Sequence, residues 1–358
     1  MANNAEVIEN VKEYYGKVLQ SSDDLKTQAC VTPGRALNAY VKSAISAVHE
    51  EVSARYYGCG LVIPAAVGGT KVLDLGSGSG RDCFALSKLV GEEGEVVGID
   101  MTKEQIEVAR QYIDYHTTKF NYSAPNTSFV DGFIEDLSGA GLQPSHFDII
   151  VSNCTVNLSP DKRAVLEQAY HVLKEGGEMY FSDIYTDTIQ SKDVRSNKVL
   201  WGEGFAGSLH WKQLHELAAQ IGFSKPYLVS TKPVKMDRPE FKELLGDAKY
   251  CAATYRLFKL PARKYAGTCV SYDGSLPGHE DSIVFDHNLT LETGKMACVS
   301  GDKVAALAAS RFKDTLTFKE LKEVDCAGVP EQEDPFEVLR VKEEKGENVE
   351  AACKKQGC

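Results

Sequence analysis

Two groups of residues in this sequence have the types and spacing to do chemistry. The first is a glycine loop, Asp74-Leu75-Gly76-Ser77-Gly78-Ser79-Gly80, followed by a second acid, Asp100, 20 residues after Gly80. Glycines let a backbone turn tightly and approach a ligand closely. An acid ending the next strand can accept hydrogen bonds from both hydroxyls of a ribose. The spacing is G-x-G-x-G. A nicotinamide fingerprint needs G-x-G-x-x-G/A, and Arg81 stands where that pattern wants a small residue. A plain tight turn would also explain a lone glycine loop, so the weight rests on loop, acid and element order together.

The second group is cysteine, at positions 30, 59, 83, 154, 251, 269, 298, 326, 353 and 358. None forms the C-x-x-C pairs of a zinc module, so no structural zinc is expected. Cys154 lies in Val151-Ser152-Asn153-Cys154-Thr155-Val156-Asn157-Leu158, just past an apolar run, where open α/β sheets bind ligands. A thiolate there suits a soft metal or metalloid. A small buried hydrophobe is the commoner fate of one cysteine. Cys59 shifts the balance, because in Arg55-Tyr56-Tyr57-Gly58-Cys59-Gly60 it sits between glycines, a setting for an exposed loop.

The elements that must position these residues follow from periodicity. Val7, Val11, Tyr14, Tyr15 and Val18 repeat at helical spacing, Ser21–Asp24 and Pro33-Gly34 break the pattern, and residues 36–51 resume it. Strand and helix alternate from about residue 70. Expected strands are Lys71–Leu75, Glu95–Ile99, Asn126–Val130, Phe147–Ser152 and Glu178–Ser182. Expected helices cover Arg81–Val90, from Thr102 to about His116 with Gln105 completing a capping box, and from Ser159 or Asp161 to Leu173. Such alternation predicts a parallel, doubly wound, Rossmann-like α/β sheet. Beyond about 225 the texture changes to Gly, Pro and short β-like runs, which predicts a smaller C-terminal α+β domain. The expected division is 1–225 (with N-terminal helices over 1–55), 226–330, and a solvated, cysteine-bearing tail over 331–358. Eight acids and three bases in 331–350 support the tail.

Composition excludes several classes. The 358 residues carry a net charge of −11, with 43% hydrophobic and 25% charged residues, so a core can be buried. The acidic balance argues against nucleic acid as a partner. Mean hydropathy is −0.27, and no apolar stretch reaches the ~20 residues a membrane span needs. The N-terminus shows no signal-peptide pattern, so the expected localisation is cytoplasmic, where thiols stay reduced.

The glycine loop resembles that of class I S-adenosylmethionine (SAM) methyltransferases, which cradles an amino acid and a sugar. Asp74 would then sit under the methionine amino group. Gly132-Phe133-Ile134-Glu135-Asp136 follow the third strand, where such enzymes contact adenine; a solvated helix start explains Glu135 and Asp136 equally well. The segments RYYGCGLVIP, VLDLGSGSGRDCFALSKLVG, VVGIDMTKEQIEVA, IIVSNCTVNLSPDK, VLKEGGEMYFSDIY, KVLWGE and ATYRLFK closely resemble animal-type arsenite methyltransferases. The likeness is densest over about 50–260. The resemblance implies methyl transfer from SAM to trivalent arsenic, delivered as a thiol conjugate and held by Cys59 and Cys154, with Cys30 a third family cysteine. It implies cofactor contacts from Tyr57, Asp74, Gly76, Ser77, Gly78, Gly80, Asp100, Met101, Ile134, Glu135 and Asn153. No metal cofactor, a monomeric enzyme, and thioredoxin or glutathione as reductant are the accompanying expectations. The family's fourth cysteine falls where this chain reads Trp201-Gly202-Glu203-Gly204. Gly204 leaves open a two-thiolate site, a preference for methylated arsenicals, a SAM- or arsenic-binding protein with impaired turnover, or a small-molecule O-, N- or C-methyltransferase.

Overall fold

The apolar, β-branched runs become the strands of one twisted sheet. In chain order these are β1 (Lys71–Leu75), β2 (Glu95–Asp100), β3 (Thr127–Asp131), β4 (Phe147–Asn153), β5 (Leu173–Thr186), the short β6 (Leu209–His210), β7 (Tyr227–Val234) and β8 (Tyr250–Phe258). The spatial order is β3-β2-β1-β4-β5-β8-β7, with β6 beside the end of β5. Strands β1 to β5 run parallel, β8 is antiparallel to β5, and β7 is antiparallel to β8. This computed structural model describes residues 4–18, 38–56, 58, 62–236, 238–319 and 332–347.

Helices cover both faces, as a parallel sheet requires. They are α1 (Asn4–Glu13), α2 (Ala39–Ile45), α3 (Glu50–Ala54), α4 (Arg81–Val90), α5 (Lys103–Gln111), α6 (Ile113–Lys119), α7 (Lys162–Val172), α8 (Lys192–Ser196), α9 (Lys198–Gly202), α10 (Trp211–Ile221) and α11 (Pro239–Leu245). Alternation along β1 splits the core in two. Val72 packs with α2, α3 and α4 on one face, while Leu73 and Leu75 pack with α7 and α10 on the other. Among the described residues no helix is long and apolar enough to cross a membrane.

Several expectations are corrected here. Thr102 stands at the N-cap of α5 but makes no side-chain cap. Gln105 does not close a capping box; its Nε2 donates to the Tyr15 carbonyl at 3.3 Å. The helix expected to reach His116 breaks at Tyr112 into α5 and α6. The fifth strand is longer than Glu178–Ser182, because Asp183 is buried and its carboxylate accepts backbone N–H groups rather than ending the strand. The sheet also runs past residue 225: β7 and β8 complete it, so the C-terminal unit begins after Phe258.

That unit has a three-stranded antiparallel sheet with β9 (Thr268–Tyr272) between β12 (Met296–Val299) and β13 (Leu316–Lys319). It adds the hairpin β10 (Ser282–Asp286) and β11 (Leu289–Glu292), and α12 (Gly301–Ala309). Its core includes Val270, Phe285 and Phe312 and is continuous with Tyr227 and Phe258 of the large sheet. Residues 335–344 of the expected solvated tail form α13 (Pro335–Glu344). Val338 and Leu339 of α13 are buried against the main core.

Candidate active site

The strand order reverses between β1 and β4, and a crevice opens at the carboxyl ends of these two strands, where such sheets bind ligands. The cleft holds about 990 Å³ of empty space. One wall is the glycine loop. Gly76 has φ of +75°, and a Cβ there would lie 2.3 Å from the Thr155 side chain, so only glycine lets the β1 and β4 ends approach this closely. The Ser77 hydroxyl is buried in this wall and has no partner among the described residues. The Gly78 N–H donates to Asp100 Oδ2 at 2.9 Å, and the Thr102 N–H to Oδ1 at 2.8 Å. Each oxygen keeps a further lone pair to offer a ligand. Burial raises the Asp100 carboxyl above its ordinary value.

Asp74 ends up beneath the loop, only 4% exposed. Burial, and then the neighbouring Asp82 and Asp100 charges, push its carboxyl up to about 8. The Cys83 thiol donates to Asp74 Oδ2 at 3.3 Å. A carboxyl raised in this way would be stabilised in its charged form by a neighbouring cation. Just after the loop the Arg81 guanidinium lies 3.7 Å from the Tyr56 ring centre and pairs with Asp82 at 3.4 Å. Asn153 Nδ2 donates to Tyr56 Oη at 2.6 Å and to Asp82 Oδ2 at 3.3 Å. This clamp fixes the chain that leads to Gly58 against the end of β4.

Cys154 forms part of the floor. Its φ is +57°, a left-handed conformation that costs a non-glycine residue about 1–2 kcal/mol and must be held by its surroundings. Backbone and buried polar groups hold it in place. Its N–H donates to the Ser182 carbonyl at 2.8 Å. The next turn, Val156–Leu158, is capped by the Asp183 carboxylate, which accepts the Asn157 N–H at 2.9 Å. Asn157 Nδ2 donates to the Ile184 carbonyl at 2.6 Å and reaches the Gly204 carbonyl at 3.4 Å. Lys162 Nζ donates to the carbonyls of Asn157 and Ser159 at 3.2 and 2.7 Å. Burial pushes Asp183 up to about 7 and Lys162 down to about 8. Cys154 is disulfide-bonded in this structure, so its sulfur must be reduced before it can ligate anything.

The residues expected at the site are distributed as follows. Asp74, Gly76, Ser77, Gly78, Asp100, Met101, Ile134, Glu135, Asn153 and Cys154 all line the cleft. Gly80 does not; it is the N-cap of α4. Cys30, Tyr57 and Cys59 lie outside the described residues. Glu135 accepts the Ser159 hydroxyl at the cleft edge, so it is not merely a solvated helix start. Cys251 cannot join Cys154: its neighbour Ala252 packs in the Cys154 cluster, so Cys251 points to the opposite face of β8.

Sequence reasoning missed the covering of the cleft. Ile8 and Val11 of α1, and Tyr15 of the π-turn Tyr14–Val18, line it. Tyr14 Oη donates to Glu203 Oε1 at 2.6 Å and Tyr15 Oη to the Gly202 carbonyl at 2.8 Å. The apolar stripe announced a helix, but no local signal says where such a stripe docks.

Comparisons with known proteins agree with this geometry. A family model described as a methyltransferase domain matches residues 66–222, and one described as the arsenite methyltransferase C-terminal domain matches 266–358. The arsenite methyltransferase of Rattus norvegicus is 49% identical over 315 residues, covering 88% of this chain and 85% of that one. The Homo sapiens arsenite methyltransferase is 47% identical, covering 89% and 85%. The crystal structure of an arsenic(III) S-adenosylmethionine methyltransferase from Chlamydomonas reinhardtii matches with a TM-score of 0.77 and 39% identity, over 81% of this chain and 98% of that one. With a SAM-methyltransferase sheet, a cleft at its switch point and relatives of this length and identity, the chain belongs to the arsenite methyltransferase family.

Proposed function

We propose that this chain transfers a methyl group from SAM to trivalent arsenic held by the thiolates of Cys59 and Cys154, giving a methylarsenical and S-adenosylhomocysteine. The observation that carries the reading is the meeting of two chemistries in one cleft. A wall of buried carboxyl groups lines the same cleft as a cysteine held in a left-handed conformation.

The residues present fit SAM. Asp74 offers its carboxyl to a cationic amino group, Asp100 has lone pairs left for ribose hydroxyls, and the Ser77 hydroxyl is buried without a partner among the described residues. Bound there, SAM supplies an electrophilic methyl on a positively charged sulfur. Trivalent arsenic is a soft acceptor that carries no proton to remove, so the chain needs no general base. Its residues orient and exclude water. Gly58, one residue before Cys59, has its Cβ direction filled by Tyr56 Oη and Asn153 Nδ2 at 2.2 and 2.5 Å. Asn153 in turn precedes Cys154, which supports the two cysteines acting together. The disulfide at Cys154 supports a requirement for an external thiol, thioredoxin or glutathione, before each arsenic is captured.

The test is to incubate the protein with SAM, a thiol reductant, and either arsenite or monomethylated trivalent arsenic, and to speciate the products. Methylated product from both substrates supports a two-thiolate site that tolerates Gly204. Product from the methylated substrate alone places the missing thiol in the first methylation. No product from either, with SAM still bound, sinks the reading and leaves a binding protein or a methyltransferase of another acceptor.

A further inference from the structure

A second sulfur arrangement lies far from the cleft in sequence and is not used by the proposed reaction. Cys269 is in the middle strand β9, and its direct antiparallel partner across to β12 is Cys298. Val270 and Val299, next to them in sequence, are buried at 0% and 1% exposure, so both cysteines point to the outer face of the small sheet. Cys298 is exposed and Cys269 half-buried. Their chemical states differ: Cys269 is a free thiol, whereas Cys298 is already disulfide-bonded. Directly opposed residues of an antiparallel pair have Cα atoms about 4.5–5.5 Å apart. That separation lies within the roughly 4.4–6.8 Å range a disulfide spans. A reduced sulfur is thus held by the ladder beside an oxidised one. None of the cleft-lining residues belongs to these strands.

We propose that Cys269 and Cys298 form a thiol–disulfide exchange site on the outer face of the C-terminal sheet. Cys269 loses its proton to solvent, and its thiolate attacks Cys298 Sγ. The Cys269–Cys298 bond forms as the bond between Cys298 and its present partner breaks. The expelled cysteine leaves as a thiolate and takes up a proton. Two electrons stay within the three sulfurs, so the step needs no added oxidant or reductant. Soluble thiols are the ligand class of the site, since they enter by the same exchange at the exposed Cys298.

The full chain is equilibrated in glutathione redox buffers spanning reducing to oxidising ratios, without arsenic or SAM. It is quenched in acid, alkylated with N-ethylmaleimide, digested without reduction and mapped by mass spectrometry. The expected result is a Cys269–Cys298 linked peptide at intermediate ratios, with matching loss of alkylation at Cys269. In Cys269→Ser the linked peptide is absent, Cys298 keeps its original partner, and methyl transfer is unchanged. The proposal is overturned if wild-type Cys269 is fully alkylated at every ratio while Cys298 occurs only in its original disulfide or reduced. It is overturned equally if Cys269 is lost only as a mixed disulfide with glutathione.

Discussion

Asp74 couples the cleft to pH. Its carboxyl, pushed up to about 8, is mostly protonated at neutral pH in the unliganded fold. A cation bound there drives the proton off. SAM binding near pH 7 should therefore release a proton, read by calorimetry in buffers of different ionisation enthalpy; a heat independent of buffer would contradict this placement. The stability sign follows from the same shift. An unfolded aspartate titrates near 3.9. The empty fold therefore binds more protons than the unfolded chain between about pH 4 and 8, and stability falls as pH rises through that window. Asp183, pushed up to about 7, acts in the same direction. Asp74→Asn removes a charge-assisted contact of about 1.5–3 kcal/mol, so SAM should bind about 10–100-fold more weakly. Cys154→Ser should separate the two chemistries: arsenic methylation is lost while SAM affinity stays within about twofold, since only the arsenic ligand is removed. If Cys154→Ser kept full activity, the acceptor would not be bound by that sulfur. These residues were legible because their types and spacing are local. The oxidised state of Cys154 was not, because a disulfide depends on which sulfur the fold brings near.

Among the elements, the turn after α9 packs behind the floor of the cleft, where its Gly204 carbonyl is reached by Asn157 Nδ2 at 3.4 Å. Gly204 has φ of +80°, and among the described residues a Cβ there would meet only Ile184 Cδ1, at 3.4 Å. Space is available, but a side chain in that conformation costs about 1–2 kcal/mol. Gly204→Cys should lower the unfolding midpoint modestly. If the absent thiol limits the first methylation, it should also raise the rate with arsenite more than with the monomethylated substrate. Equal rates for both substrates would show that two thiolates suffice. The strands around this turn were readable as apolar runs: β1 and α4 have the boundaries that periodicity predicts. Where tertiary contacts decide, the reading failed. β5 continues through Asp183 because the turn after Cys154 supplies N–H donors to that buried carboxylate. The sequence of α13 reads as solvated tail because its acids dominate the composition. Yet Glu337, Arg340 and Glu344 pair with one another on the outer face while Val338 and Leu339 face the core. Charge content says little about a helix that still turns Val338 and Leu339 into the core.

At the scale of the molecule, one buried ion cluster joins the two sheets. Glu178 of β5 is wholly buried, accepts Arg256 Nε of β8 at 2.6 Å and pairs with Arg311, just after α12. Arg311 also donates through Nε and Nη2 to the Ala65 carbonyl at 3.0 and 2.8 Å, ahead of β1. Arg256 Nη1 donates to the Phe285 carbonyl of β10 at 2.8 Å. Glu178 thus links the C-terminal unit to the sheet alongside their shared apolar core. No sequence pattern announced this, since the three residues come together only once β5 and β8 pair across a long separation. Burial opposes the Glu178 charge, but the two guanidinium groups hold its carboxyl below the ordinary glutamate value. Its stabilisation is therefore present above the unfolded glutamate value and lost as pH falls through the lower folded one. Glu178→Gln keeps the shape but leaves two buried guanidinium groups without a counter-charge, a loss of about 3–5 kcal/mol. The unfolding midpoint in urea should fall accordingly. Replacing Glu178, Arg256 and Arg311 together by apolar residues of similar size should cost less than the single change, because no charge is then left buried alone. A triple variant less stable than Glu178→Gln would mean that the cluster's hydrogen bonds to Ala65 and Phe285, rather than its charge balance, hold the two sheets together.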